Sequence, residues 1–64
     1  MAEPRWDVGC LDPFGRDRAL TVLVDEGGRV VLVPPPGASA VLSAQQALRL
    51  RQALDQAAFR ASEP

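Results

Sequence analysis

Ala19-Leu20-Thr21-Val22-Leu23-Val24-Asp25-Glu26-Gly27-Gly28-Arg29-Val30-Val31-Leu32-Val33 is the stretch that decides the fold. Two runs of β-branched and aliphatic residues flank a turn in which Asp25 suits the first position and the glycines supply a positive φ. A β-hairpin is expected. Side chains alternate across a strand, so Leu20, Val22 and Val24 share one face while Ala19, Thr21 and Leu23 share the other. Val30 and Leu32 likewise oppose Val31 and Val33, so the hairpin is apolar on both sides. One covering layer cannot bury both.

Downstream, Pro34-Pro35-Pro36-Gly37 ends the second strand, because proline supplies no N–H to a ladder. Ala38 to Leu42 alternates again and reads as a short third strand or an extended return. Ser43 followed by Gln46 forms an S-x-x-Q capping box, placing the helix start at Ala44. No Gly or Pro interrupts Ala44 to Ala61, and Ala, Leu, Gln and Arg are strong helix formers, so a helix over 43–61 that frays towards Pro64 is expected. On a helical wheel, Gln45, Arg49, Gln52, Gln56 and Arg60 make a polar stripe. Ala47, Leu50, Leu54, Ala57, Ala58 and Ala61 form the stripe expected to face the sheet. Leu48 and Phe59 fall outside both, on a flank where Arg51 and Asp55 stand at i, i+4 and are spaced to pair.

Upstream, residues 1–18 hold Trp6, Val8, Leu11 and Phe14 in a weak period-two pattern, with a turn expected at Asp12-Pro13-Phe14-Gly15. This segment is either an N-terminal strand or an arm laid over the sheet. The chain then reads as one domain over 1–64, with an arm or strand at 1–18, the hairpin and third segment at 19–42, and the helix at 43–61.

Sixty-four residues bury only about 60% of the surface that the unfolded chain exposes, so stability is marginal and a staple is expected. Cys10 is the only cysteine and histidine is absent, which removes an internal disulfide and a zinc finger from consideration. Self-association is the remaining remedy. The formal charge of −1 and the pI near 5.1 argue against a general nucleic-acid binder. No apolar run reaches membrane-spanning length, the Met1-Ala2-Glu3-Pro4 start lacks the features of a signal peptide, and a lone thiol suits a reducing compartment, so a cytoplasmic location is expected. All the cationic residues are arginine, and lysine, isoleucine, asparagine and tyrosine are missing, a bias typical of GC-rich coding.

The sequence contains no G-x-S-x-G, P-loop or H-E-x-x-H motif, and without histidine the commonest general base is missing. No cofactor or metal site is expected. Cys10 reads as a small core thiol, Asp25-Glu26 as turn solvation, and the prolines as a bend, since the P-x-x-P spacing is not met. Arg16, Arg18 and Arg29 are the residues that would contact phosphate in a nucleic-acid-binding regulator; Asp12, Asp17, Asp25 and Glu26 lie among them.

Gly27-Gly28-Arg29-Val30-Val31-Leu32-Val33, then Pro36-Gly37, then Val41-Leu42-Ser43-Ala44 opening a helix, resembles a pattern in short actinobacterial proteins of unassigned role. More loosely, it is similar to the small "bald" developmental regulators of that phylum, although the helix lacks a Trp near its start. The resemblance implies a non-enzymatic cytoplasmic protein that self-associates. It carries over no functional residue.

These readings combine into an α+β domain: an antiparallel hairpin, extended by a third strand, packed on one C-terminal helix. A protein-interaction or regulatory module is expected, a homodimer or bound to a different protein partner, with Leu23, Val31, Val33, Leu48 and Phe59 as candidate contacts. The second reading is a small nucleic-acid-binding regulator.

Overall fold

The computed structural model describes residues 4–63. The Met1 to Glu3 start and the terminal Pro64 lie outside the described residues. Strands β1 (Arg5–Leu11), β2 (Asp17–Val24) and β3 (Val30–Val33) precede helix α1 (Ala44–Ala61). The strands form one antiparallel sheet in the order β1-β2-β3, and the helix packs against one of its faces. The chain is α+β, as the hairpin and capped helix predict.

The hairpin forms where expected, with Leu23 opposite Val31 and Val24 opposite Val30. The third strand of the sheet, however, comes from the N-terminal segment. Trp6 pairs with Val22, Val8 with Leu20 and Cys10 with Arg18 along the full length of β1. Ala38 to Leu42 is the extended return: it contributes one bridge, in which Leu11 and Val41 exchange backbone hydrogen bonds of 2.8 Å. Proline stops β3 at Val33, and the Ala38 N–H closes a turn onto the Pro35 carbonyl at 3.2 Å, which redirects the chain towards the far end of β1.

The two sheet connections are copies of one another. Asp12-Pro13-Phe14-Gly15-Arg16 and Asp25-Glu26-Gly27-Gly28-Arg29 share the pattern D-x-x-G-R. In each, the aspartate Oδ1 accepts the N–H of the residues two and four positions on, at 2.8 and 2.9 Å in the first turn and 2.9 Å for both in the second. The glycine at the fourth position takes φ +81° in one and +77° in the other, a region where a Cβ is strained. The arginine carbonyl then accepts the aspartate N–H at 2.9 Å in both, restarting the ladder. This repeat is visible in the sequence once the two pentapeptides are aligned.

Alternation on the strands directs Trp6, Val8, Cys10, Leu20, Val22 and Val24 to the helix. Val22 is fully buried and Cys10 nearly so, which fits a small core thiol. From the helix, Ala53 and Ala57 are buried at the contact, with Leu50 and Ala61 packed beside them. The sheet-facing stripe is therefore turned relative to the wheel reading by about half a residue step, roughly 50° at 3.6 residues per turn. Ala47 and Ala58 are exposed, and Leu54 is 37% exposed. Side-chain size explains the roll: with alanines at the centre, the helix backbone lies close over β1 and β2, whereas a centred leucine would hold it away. The roll also brings one member of the polar stripe into use, as Gln56 Oε1 accepts the Trp6 Nε1–H at 2.8 Å.

At its start the helix carries the predicted capping box. Ser43 Oγ accepts the Gln46 N–H at 3.1 Å, while Gln46 Oε1 accepts the Ser43 N–H at 2.9 Å. Arg51 and Asp55 do not pair; among the described residues the ion pairs are Arg5–Asp7, Arg18–Asp12 and Arg29–Asp25. Arginine before aspartate is the weaker helical order for such a pair.

Candidate interaction surface

Of the two readings of residues 1–18, an arm laid over the sheet would place Trp6 to Phe14 on the second face of the hairpin. The segment lies in the sheet plane instead, as β1 and the turn after it. Trp6, Val8 and Cys10 go to the helix side, and Phe14 sits at the turn with 84% exposure, the Arg16 guanidinium 5.7 Å from its ring centroid. On the far face of the sheet Ala19 and Val33 are exposed, and Thr21, Leu23 and Val31 are half-buried.

That face divides into two halves. Cross-strand register puts Arg5 beside Leu23 and then Val31, and Asp7 beside Thr21 and then Val33. On the β1 side, Arg5, Asp7 and Thr21 bond to one another: Thr21 Oγ1–H donates to Asp7 Oδ1 at 2.8 Å, and Arg5 Nη2 donates to the same oxygen at 3.1 Å. The β3 side is aliphatic, with Leu23 and Val31 half-buried and Val33 45% exposed. On the helix side of β3, Val30 and Leu32 are 40% and 52% exposed, because the helix packs mainly over β1 and β2. β3 thus keeps exposed aliphatic side chains on both faces.

Leu48 and Phe59 are also exposed, but they lie on the helix surface turned away from the sheet. The five candidate contacts form two separate groups: Leu23, Val31 and Val33 on the sheet, and Leu48 and Phe59 on the helix. Phe59 borders a shallow concavity of about 450 Å³ with Trp6, Asp55, Gln56, Arg60 and Glu63. Its lining mixes charges of both signs and contains neither cysteine nor histidine.

The three arginines of the nucleic-acid reading do not make one patch. Arg16 and Arg18 stand at the β1–β2 turn and Arg29 at the β2–β3 turn, at opposite ends of the eight-residue β2. Arg18 Nε lies 3.5 Å from Asp12 Oδ2, and Arg29 Nε donates to Asp25 Oδ2 at 2.9 Å. Asp25, weighed above as turn solvation, uses both carboxylate oxygens within its own turn. No helix of the described residues is long and apolar enough to cross a membrane.

The hydrogen bond from Thr21, followed by that from Arg5, holds Asp7 below the usual carboxylate value; the Arg29 backbone N–H, with its side chain, does the same for Asp25. Each group binds protons more readily in the unfolded chain, so its contribution to stability is present above pH 3.8 and is lost as pH falls from there through the depressed folded values. The thermal midpoint should therefore fall on acidification below that point, with the slope reduced in an Asp7→Asn, Asp25→Asn double variant. An unchanged slope in that variant would assign the acid sensitivity to other groups.

Comparison of the chain with protein-family models, with curated proteins and with solved structures returned no match.

Proposed function

We propose that this chain is a small non-enzymatic interaction module that self-associates through the β3 side of its sheet. The observation carrying this reading is that β3, made only of Val30, Val31, Leu32 and Val33, has exposed aliphatic side chains on both faces. Exposed apolar surface of this kind marks contact sites in small proteins. Size supports the same reading, since a 64-residue chain with one buried cysteine gains stability most directly by sharing apolar surface with another chain.

Of the candidate contacts, Leu23, Val31 and Val33 belong to this surface, whereas Leu48 and Phe59 are separate from it. Sedimentation equilibrium should give a concentration-dependent mass rising towards twice the 6.8 kDa chain mass. A mass that stays at one chain up to high concentration would end this proposal.

A further inference from the structure

We infer that the seam between two copies is the open edge of β3, paired antiparallel with itself about a two-fold axis at Val31; this deepens the self-association reading and rests on it. The Asp25 N–H donates to the Arg29 carbonyl at 2.9 Å, which sets the phase of the β2–β3 ladder. With Leu23 opposite Val31 and Thr21 opposite Val33, the backbone groups of Val31 and Val33 point to β2. Antiparallel ladders alternate, so the N–H and C=O of Val30 and Leu32 point out of the sheet. That leaves two donors and two acceptors on an exposed edge.

The two edges of the sheet differ in how they are guarded. β1 carries the charged Arg5–Asp7 pair, and its far end is closed by the bonds between Leu11 and Val41. Charge and an attached segment are ordinary ways to blunt an edge. β3 has neither within its length. Its side chains are all aliphatic, and its stop is Pro34.

Those groups match a second copy of themselves. Placing Val31 on the axis sets Val30 opposite Leu32 of the other copy and Leu32 opposite its Val30, and each pair exchanges both bonds. All four edge groups of each chain are then satisfied. Moving the axis to Leu32 would set Val30 opposite Pro34, which has no N–H, and leave the Val30 carbonyl unpaired. The two-fold stands perpendicular to the sheet and keeps both helices on one side. Gln56 faces β1 through Trp6, so Leu54 lies on the opposite flank of the helix, towards β3. Leu54, Val30 and Leu32 then line the seam on the helix side, and Val31 meets its counterpart on the other. Specific interfaces generally bury more than about 1,000 Å² in total, so a four-residue backbone seam needs these flanking side chains.

Proline at position 32 tests the seam. The N–H that it removes serves no bond to β2, and proline is tolerated on such an edge. Leu32→Pro should remain folded by circular dichroism and sediment as a monomer across the concentration series in which the wild-type chain dimerises. Should Leu32→Pro fail to fold, Leu32→Lys, a charge at a solvent-facing edge position, is expected to give the same folded monomer. In a Cys10→Ser background, Val31→Cys should oxidise to a disulfide-linked dimer, whereas Phe59→Cys should not. A folded Leu32→Lys that still dimerises, or a Val31→Cys that does not cross-link, would overturn the edge seam while leaving self-association in place. A wild-type chain that is monomeric throughout would overturn both.

Discussion

Replacing Ala57 by leucine is expected to lower the thermal midpoint by roughly 12–24 °C, from a loss of about 3 kcal/mol at 4–8 °C per kcal/mol for a domain of this size. Ala57 is fully buried between the helix and the strand residues Val8, Cys10, Leu20, Val22 and Val24. A larger side chain there finds no space and must push the helix away from the sheet, which also loosens Leu50 and Ala61. General per-residue stabilities place a 64-residue chain at roughly 3–10 kcal/mol, so this one change consumes a large share. Ala58→Leu is the control. Position 58 is exposed, and surface changes of this type stay within about 0.5 kcal/mol. Thermal melts followed by circular dichroism decide the matter: if Ala58→Leu were as damaging as Ala57→Leu, the helix would present the face that the wheel alone suggests, on which both residues lie.

Asp12→Ala should be the most damaging polar substitution in the chain, costing about 2–3 kcal/mol, the scale of hydrogen bonds to a charged acceptor whose donors are left unpaired. Asp12 is 6% exposed, and its Oδ1 accepts the N–H groups of Phe14 and Arg16 while Arg18 approaches Oδ2. Asp25 occupies the same place in the second D-x-x-G-R turn with more access to solvent. Water can therefore take over its bonds, and Asp25→Ala should cost clearly less. Denaturant melts of the two variants test this, and equal losses would show that burial does not set the difference. Asp12→Asn, which keeps the oxygen acceptor, should recover most of the loss.

The paired aspartate turns show how much local geometry is legible in the sequence. Each aspartate bonds within five residues of itself, so D-x-x-G-R is readable from spacing once the repeat is noticed. The burial of Asp12 is not readable in this way. It belongs to the end of the sheet where the distant Val41 bonds to Leu11. The candidate contacts divide similarly. Alternation separates Leu23 from Val22 and Val24, and Val31 from Val30 and Leu32, but the register that sets Leu23 beside Val31 and apart from Leu48 and Phe59 comes from the fold.

What the sequence by itself determined is whatever rests on bonds between near neighbours: the hairpin around Asp25 to Arg29, the stop at Pro34, and the helix beginning after Ser43 with Gln46 closing the cap. Tertiary structure alone decided that Trp6 to Leu11 joins the sheet instead of covering it, that the helix rolls onto Ala53 and Ala57, and that β3 keeps exposed side chains on both faces. Those outcomes depend on pairing between residues far apart in the chain and on how closely a helix can approach a sheet. Both are set by volume and by competition among distant partners, which a local pattern does not record.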